Sequence, residues 1–312
     1  MLLNHEILIC RSTLKVNNNL LNTSNRLRII ATASSGVDHI SQDCLLKNNI
    51  VLFDAHGSNA PAVADYVLSC LAYLKYENLL PQGQVGIIGY GAVGNAVHDY
   101  FRLLNYKVIV YDPLKALHNN KFKSALVNEL FNCQILCIHA NLHDDLPYPS
   151  KNLINYDFLQ QLSAGTVIIN AARGGIVNEI DLIHYCARNQ LIYCTDVYQN
   201  EPDINPDVIK LSTICTPHIA GHSIEAKKLA VTMIVNKIYN YYNLSYKVKN
   251  DKLPLNGNLQ NLLLMWHNNK ILNLYNPQFE TKQLQVAIDN LMRTFINLRV
   301  QHNYRHNYCC VL

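Results

Sequence analysis

Apolar positions along this chain fall into short runs, and the length and spacing of each run decide which element it suits. Residues 85–88 form a brief apolar stretch of the kind that a buried parallel strand needs. After a glycine-rich turn, Val93, Val97, Phe101 and Leu104 recur at spacings of three and four, which places them on one helix face. Residues 107–111 are β-rich again. Before this unit, short apolar runs at 6–10, 27–31 and 50–53 alternate with polar segments, a small α/β pattern. Residues 60–76 read as a helix bridging the two parts, opened by Pro61 and stopped by Pro81, with Val63, Val67, Leu71 and Leu74 on its buried face. Beyond it, strands are expected at 135–138, 166–170, 191–197 and 213–215, with helices at 156–162 and 178–189, the latter capped by Asn178. Strands alternating with helices predict a parallel, doubly wound sheet that binds ligand at its strands' carboxyl ends. Residues 223–242 read as a long helix and 280–304 as a second one. The tail they belong to is either an interaction module or a solvated appendage.

The turn after 85–88 carries Gly89, Gly91 and Gly94 as G-x-G-x-x-G, and Asp112 follows twenty-one residues after Gly91. The first glycine allows a tight turn, the second lets backbone N–H groups at Ala92 and Val93 approach a pyrophosphate, and the third lets helix and strand pack closely. The helix start favours phosphate charge, and the acidic residue can accept from a ribose hydroxyl. Glycine turns are common, but here strand, helix and acidic terminus all fall where a dinucleotide site needs them.

Composition narrows the class. A chain of 312 residues should hold two domains, with room for a small third. Hydrophobic content of 49% and charged content of 15%, with no apolar run of membrane-span length, describe a soluble globular protein without a membrane role. The opening MLLNHEILICRS lacks a signal-peptide pattern. A net charge of +4 is mild and scattered, unlike a nucleic-acid-binding stripe. Ten cysteines without C-x-x-C pairs, several of them (Cys70, Cys137, Cys186, Cys194) inside apolar runs, suit reduced thiols in the cytoplasm. Cys309-Cys310-Val311-Leu312 fits a prenylation box in form but has no polybasic neighbour. His139/His143 and His302/His306 sit at i,i+4, yet nothing nearby completes a metal set, so no metal is expected.

Candidate chemistry lies at the expected strand ends. Arg173 follows the 166–170 strand, Asp196 and Glu201 follow 191–197, and His218 follows 213–215. Oxidation of a hydroxyl by hydride loss needs a base for its proton, and His suits that near neutral pH. A carboxylate bonded to the His stabilises its protonated form, and an Arg holds a substrate carboxylate. The small-residue loop at 31–40 suits backbone N–H groups aimed at an anion, and equally an ordinary turn.

At these residues a family resemblance appears. Residues 170–175 (Asn-Ala-Ala-Arg-Gly-Gly), 196–202 (Asp-Val-Tyr-Gln-Asn-Glu-Pro) and 216–221 (Thr-Pro-His-Ile-Ala-Gly) resemble the signatures of the D-isomer-specific 2-hydroxyacid dehydrogenases, in order, with the match running from about residue 8 to 240. Residues 10–12, 32–39 and 217–225 are most similar to a branch acting on a phosphorylated four-carbon 2-hydroxyacid. The resemblance implies a Rossmann-like NAD-binding domain over 79–221 and a smaller flavodoxin-like α/β substrate domain over 1–78, completed by 222–243. It also implies a shortened dimerisation segment over 244–312, and hence a homodimer. It implies Arg173 and Glu201 as catalytic and His218 as the proton-transferring residue. NAD would meet Gly89, Gly91, Ala92, Val93, Gly94, Asp112, Ala140, Ala171, Asp196 and Gly221, and substrate would meet Ser12, Ser34 and His222. A carboxylate at Asp112 favours NAD over NADP, because it would repel a 2′-phosphate.

Several positions depart from the family. Ser34 and Ala140 stand where it has Thr, and His222 stands where it has Tyr. Ser34 keeps the hydroxyl, Ala140 loses one facing NAD, and His222 could hydrogen-bond substrate or, when protonated, favour a phosphate. The chain begins roughly one βα unit late and ends within the dimerisation domain. Arg11, Lys15 and His222 are unranked candidates for the substrate phosphate. Glycerate, 3-phosphoglycerate or lactate as substrate, and a non-catalytic NAD-sensing role, stay open at this point.

Overall fold

The computed structural model describes residues 4–21, 26–245 and 259–312; the part of the expected dimerisation segment between them, 246–258, lies outside the described residues. Two parallel sheets form the frame. The smaller has the order β1 (Ile7–Cys10), β2 (Ile29–Thr32), β3 (Val51–Phe53). The larger comprises β4 (Gln84–Ile88), β5 (Lys107–Tyr111), β6 (Ile135–Ile138), β7 (Val167–Asn170), β8 (Ile192–Thr195) and β9 (Ile214–Cys215), arranged β5-β4-β6-β7-β8-β9. Every strand of β6 and β7 is buried along its length, which is why these runs are continuously apolar and do not alternate. The order reverses at β4, so the crevice beyond the carboxyl ends of β4 and β6 is where this topology leaves room for a ligand.

The helix Ala60–Tyr76 is buried more completely than a single apolar stripe suggests, with thirteen of its seventeen residues inside. One side packs on Val85, Ile87, Ile135 and Val167 of the larger sheet, and the other is covered by Trp266, Ile271 and Tyr308 from the tail. It ends at Tyr76, ahead of Pro81, because Asn78 turns left-handed (φ 57°) and the Leu79 and Leu80 N–H groups bond back to Leu74. The long helix Ile224–Tyr241, capped by Ser223, instead lays Ala230 and Ile234 against Ile29 and Ala31 of the smaller sheet.

The tail departs from expectation in two ways. It is not a solvated appendage: Leu284, Leu291 and Phe295 enter the core of the larger sheet. Nor is 280–304 one helix. It divides into Gln278–Val286 and Leu291–Gln301, joined by a tight 3₁₀ turn, Ile288–Asn290. Two docking requirements force the break. Thr281 Oγ1 accepts from the N–H of Cys215 at 3.0 Å, occupying the edge strand β9, while Phe295 packs edge-on against Tyr198 at 5.9 Å.

The last residues clasp the helix Ala60–Tyr76. Asp65 accepts from Tyr100 Oη at 2.6 Å and from the Tyr308 N–H at 2.9 Å, Ser69 bonds Tyr308, and Arg305 reaches the Ala62 carbonyl at 2.8 Å. Burial pushes the Asp65 carboxyl up from 3.8 to about 7 against these hydrogen bonds. The folded chain therefore holds this proton more tightly than the unfolded one, so Asp65 lowers stability as pH rises from about 4 to about 7, with no further change above. We expect thermal melts of Asp65→Asn to show a flatter loss of stability than wild type between about pH 5 and pH 7. Parallel curves would show that Asp65 is already ionised in the fold.

Candidate active site

A cavity of ≈ 1190 Å³ opens where the carboxyl ends of both sheets face each other. Its floor on the larger sheet is the glycine turn. Gly89 has φ +89°, and a Cβ there would lie 2.4 Å from the Ala140 nitrogen, so the β4 and β6 ends could not approach as they do. Gly94 lies behind the cavity wall, where a Cβ would meet the Gly89 carbonyl at 2.1 Å; its contribution is helix-to-strand packing and not contact with a ligand. Gly91 has open space around it, and together with Ala92 and Val93 it presents the start of the helix Ala92–Leu103 to the cavity. This is the cradle a pyrophosphate needs, free backbone donors at a positive helix end. At the end of β5, Asp112 accepts from the Tyr90 N–H at 2.7 Å and the Lys115 N–H at 3.0 Å, which holds its carboxylate at the cavity rim. Ala140, Ala171 and Gly221 also line the cavity.

The chemistry-bearing groups converge on the same space. His218 Nδ1 lies 2.7 Å from Glu201 Oε2. With a carboxylate as its partner, Nδ1 carries the proton and donates, which leaves Nε2 as the acceptor. Burial works against the charge of Glu201, but His218, the Tyr198 N–H and Arg299 outweigh it and hold the carboxyl below its usual range. His218 sits at φ 57°, a left-handed conformation uncommon for a non-glycine residue. Arg173 follows β7 in a turn organised by Asn170, whose Oδ1 accepts from the Ala172 N–H at 3.2 Å. Its Nε and Nη2 both lie 2.9 Å from Asp38 Oδ2, across the cleft from the smaller sheet. Burial opposes ionisation of Asp38, and Arg173 reverses that, so its carboxyl lies below the usual value. Ser12 and Ser34 line the opposite wall.

Asp196 and His222 line the same cavity, each in a buried setting of its own. Asp196 is 1% exposed, and its carboxylate accepts from Thr216 Oγ1 at 2.6 Å and from the Ile219 and Ala220 N–H groups at 2.8 Å each. Its geometry supports the loop that carries His218. His222 lines the cavity, but burial, reinforced by Arg299 and nearby histidines, pushes it down to about 2. It therefore stays neutral, and a protonated His222 attracting a phosphate is not what the fold provides. Lys227, Arg299 and Tyr304, which the sequence did not single out, also line the cavity. They come from the long helix and the tail, and no local motif marks them. His302 and His306 each meet a distant carboxylate, Glu280 at 3.1 Å and Glu225 at 2.7 Å. Among the described residues no three such side chains gather into a metal set, and all ten cysteines are free thiols.

Comparisons with known proteins agree with this geometry. Residues 74–220 match the family model described as D-isomer specific 2-hydroxyacid dehydrogenase, NAD binding domain. An erythronate-4-phosphate dehydrogenase of Legionella pneumophila is 44% identical over 308 residues, 97% of this chain and 85% of its own length. Its counterpart in Coxiella burnetii is 33% identical over 309 residues, covering 97% of this chain and 83% of that one. Among solved structures, an NAD-bound 3-phosphoglycerate dehydrogenase of Entamoeba histolytica aligns with a TM-score of 0.66 at 24% identity, covering 79% of this chain and 83% of that one. An NAD-complexed formate dehydrogenase of Staphylococcus aureus aligns with a TM-score of 0.63 at 23% identity, covering 80% and 82%. These last two speak to the fold alone. With a glycine cradle for NAD, an acidic rim at Asp112 and a His–Glu pair in one cleft, the chain belongs to the NAD-dependent, D-isomer-specific 2-hydroxyacid dehydrogenase family, among the erythronate-4-phosphate dehydrogenases.

Proposed function

We propose that the chain oxidises 4-phospho-D-erythronate to 2-oxo-3-hydroxy-4-phosphobutanoate, a step toward pyridoxal 5′-phosphate. The observation that carries the reading is the His218–Glu201 pair at 2.7 Å in a cleft shared with Arg173 and the glycine turn. NAD, when bound against Gly89, Gly91, Ala92 and Val93, supplies the hydride acceptor. His218 Nε2 takes the proton of the substrate's 2-hydroxyl as it becomes a carbonyl. Glu201 stabilises the imidazolium that results and fixes the ring's orientation. Arg173 binds the substrate carboxylate with its forked guanidinium, and Asp38 holds that fork in register until substrate arrives. Ser12 and Ser34 offer hydroxyls to the substrate from the smaller sheet.

The same reading assigns domains. Residues 1–78, completed by 222–243, form the substrate unit, and 79–221 the NAD unit. The helix Ala60–Tyr76 connects them while its core face belongs to the larger sheet. Residues 244–312 pair two copies into a homodimer in the cytoplasm, where the free thiols stay reduced. In support, the helix Gln278–Val286 exposes Phe279 and Val286, seven residues apart on one side and outside the cavity.

Three outcomes test this. In steady-state assays beside 3-phosphoglycerate, the wild type should reduce NAD preferentially with 4-phospho-D-erythronate. His218→Ala should lower kcat by about 10²–10⁴-fold while NAD still binds. A folded, NAD-binding wild type that turns over neither acid, or favours 3-phosphoglycerate, would sink the assignment. Second, Asp112→Ser should raise kcat/KM with NADP relative to NAD, since it removes a carboxylate that repels the 2′-phosphate; an unchanged ratio would remove Asp112 from cofactor choice. Third, sedimentation should find a dimer that Val286→Lys weakens, and a wild-type monomer would end the dimer proposal.

A further inference from the structure

One group of side chains in the cleft has no part in the hydride-transfer centre. Arg11 follows β1, Lys227 lies in the first turns of the helix Ile224–Tyr241, and Tyr304 comes from the tail, yet all three line the same cavity. Lys227 Nζ lies 3.1 Å from the centre of the Tyr304 ring, and Lys227 and Arg11 both act electrostatically on the Tyr304 hydroxyl. The Tyr304 ring also stacks on His222, with centroids 5.4 Å apart and planes inclined at 29°, which sets the group one layer from the loop that carries His218. Burial opposes ionisation of the Tyr304 hydroxyl, but the two cations outweigh it and hold it below its ordinary value.

The charges here are uncompensated. Arg173 is paired with Asp38, and Arg299 lies 3.8 Å from Glu201. Among the described residues, no carboxylate forms an ion pair with Arg11 or Lys227. Two cations beside one phenol ring at a cavity wall, with no carboxylate paired to either, favour an anion from outside. The alternatives fall away: His222 is held neutral, and Lys15 does not line the cavity.

We propose that Arg11, Lys227 and Tyr304 form the subsite for the substrate's terminal phosphate, a deepening that rests on the phosphorylated-substrate reading above. A phosphomonoester dianion matches the two positive charges. Arg11 offers a planar fork, Lys227 a point charge, and Tyr304 a hydroxyl donor once its cations turn to the ligand. The tail completes the site, because Arg305 and Tyr308, one and four positions after Tyr304, anchor that stretch of chain.

The test has two readouts on the NAD-loaded full chain: calorimetric binding of inorganic phosphate, and kcat/KM for 4-phospho-D-erythronate against unphosphorylated D-erythronate. Arg11 and Lys227 are exposed, so Arg11→Met and Lys227→Met should keep the fold. Each should weaken phosphate binding by about 10-fold or more, and lower the preference for the phosphorylated acid by a similar factor, chiefly through KM. Tyr304→Phe should move both in the same direction by less. Lys228→Met, its exposed neighbour outside the cavity, should leave both at wild-type values. Phosphate affinity indifferent to Arg11 and Lys227, or equal losses on the two acids, would overturn the subsite. If phosphate binds through Arg11 and Lys227 while neither acid is oxidised, the subsite stands and the assigned reaction falls.

Discussion

The position of His218 depends on a buried carboxylate. Asp196 accepts the two successive N–H groups that follow His218, at Ile219 and Ala220, and its third donor, Thr216, precedes it. Burial pushes the Asp196 carboxyl above its usual range, and these hydrogen bonds work against that while they hold the backbone on both sides of a left-handed His218. Tyr66 Oη reaches Thr216 at 2.7 Å, so the helix Ala60–Tyr76 joins the same network.

What Asp196 does from within, Arg305 does from the other side. Its guanidinium donates to the carbonyls of Ile219, Ala220 and Ala62, so both the N–H and C=O groups of the segment after His218 are occupied. A peptide segment fixed at its donors and its acceptors has little freedom to rotate. His218 therefore owes its placement partly to a side chain near the end of the chain. Glu201 then needs only one contact to orient the ring, and the negative charge it contributes is balanced by His218 and Arg299. The cleft uses one device repeatedly, a charged side chain aimed at backbone groups to hold a loop in place.

Much of this was legible beforehand for identifiable reasons. The core strands announced themselves because burial on both faces demands continuous apolar runs, and the glycine turn because Gly89 and Gly94 each exclude any larger residue by direct collision. Asn178 capped its helix as expected. The short helix Pro206–Leu211 also carries a readable signal, Asn205 as cap followed by proline. The break at Ile288–Asn290 could not be read, because the periodicity on either side is helical and only docking against β9 and Tyr198 requires a turn there.

The sequence by itself determined a doubly wound sheet, a dinucleotide turn and the strand-end trio of Arg173, Glu201 and His218, since each is encoded by residues close together in the chain. Tertiary structure alone decided the rest. It gave Asp196, at the cavity wall, the added task of holding the His218 loop, because a carboxylate 1% exposed must be satisfied from within. It kept His222 neutral, because burial penalises its charge and the neighbouring cations add to that. It gathered Arg11, Lys227 and Tyr304 from distant segments at one wall. Sequence patterns record what neighbours along the chain require, whereas desolvation and the meeting of charges depend on what folding brings alongside.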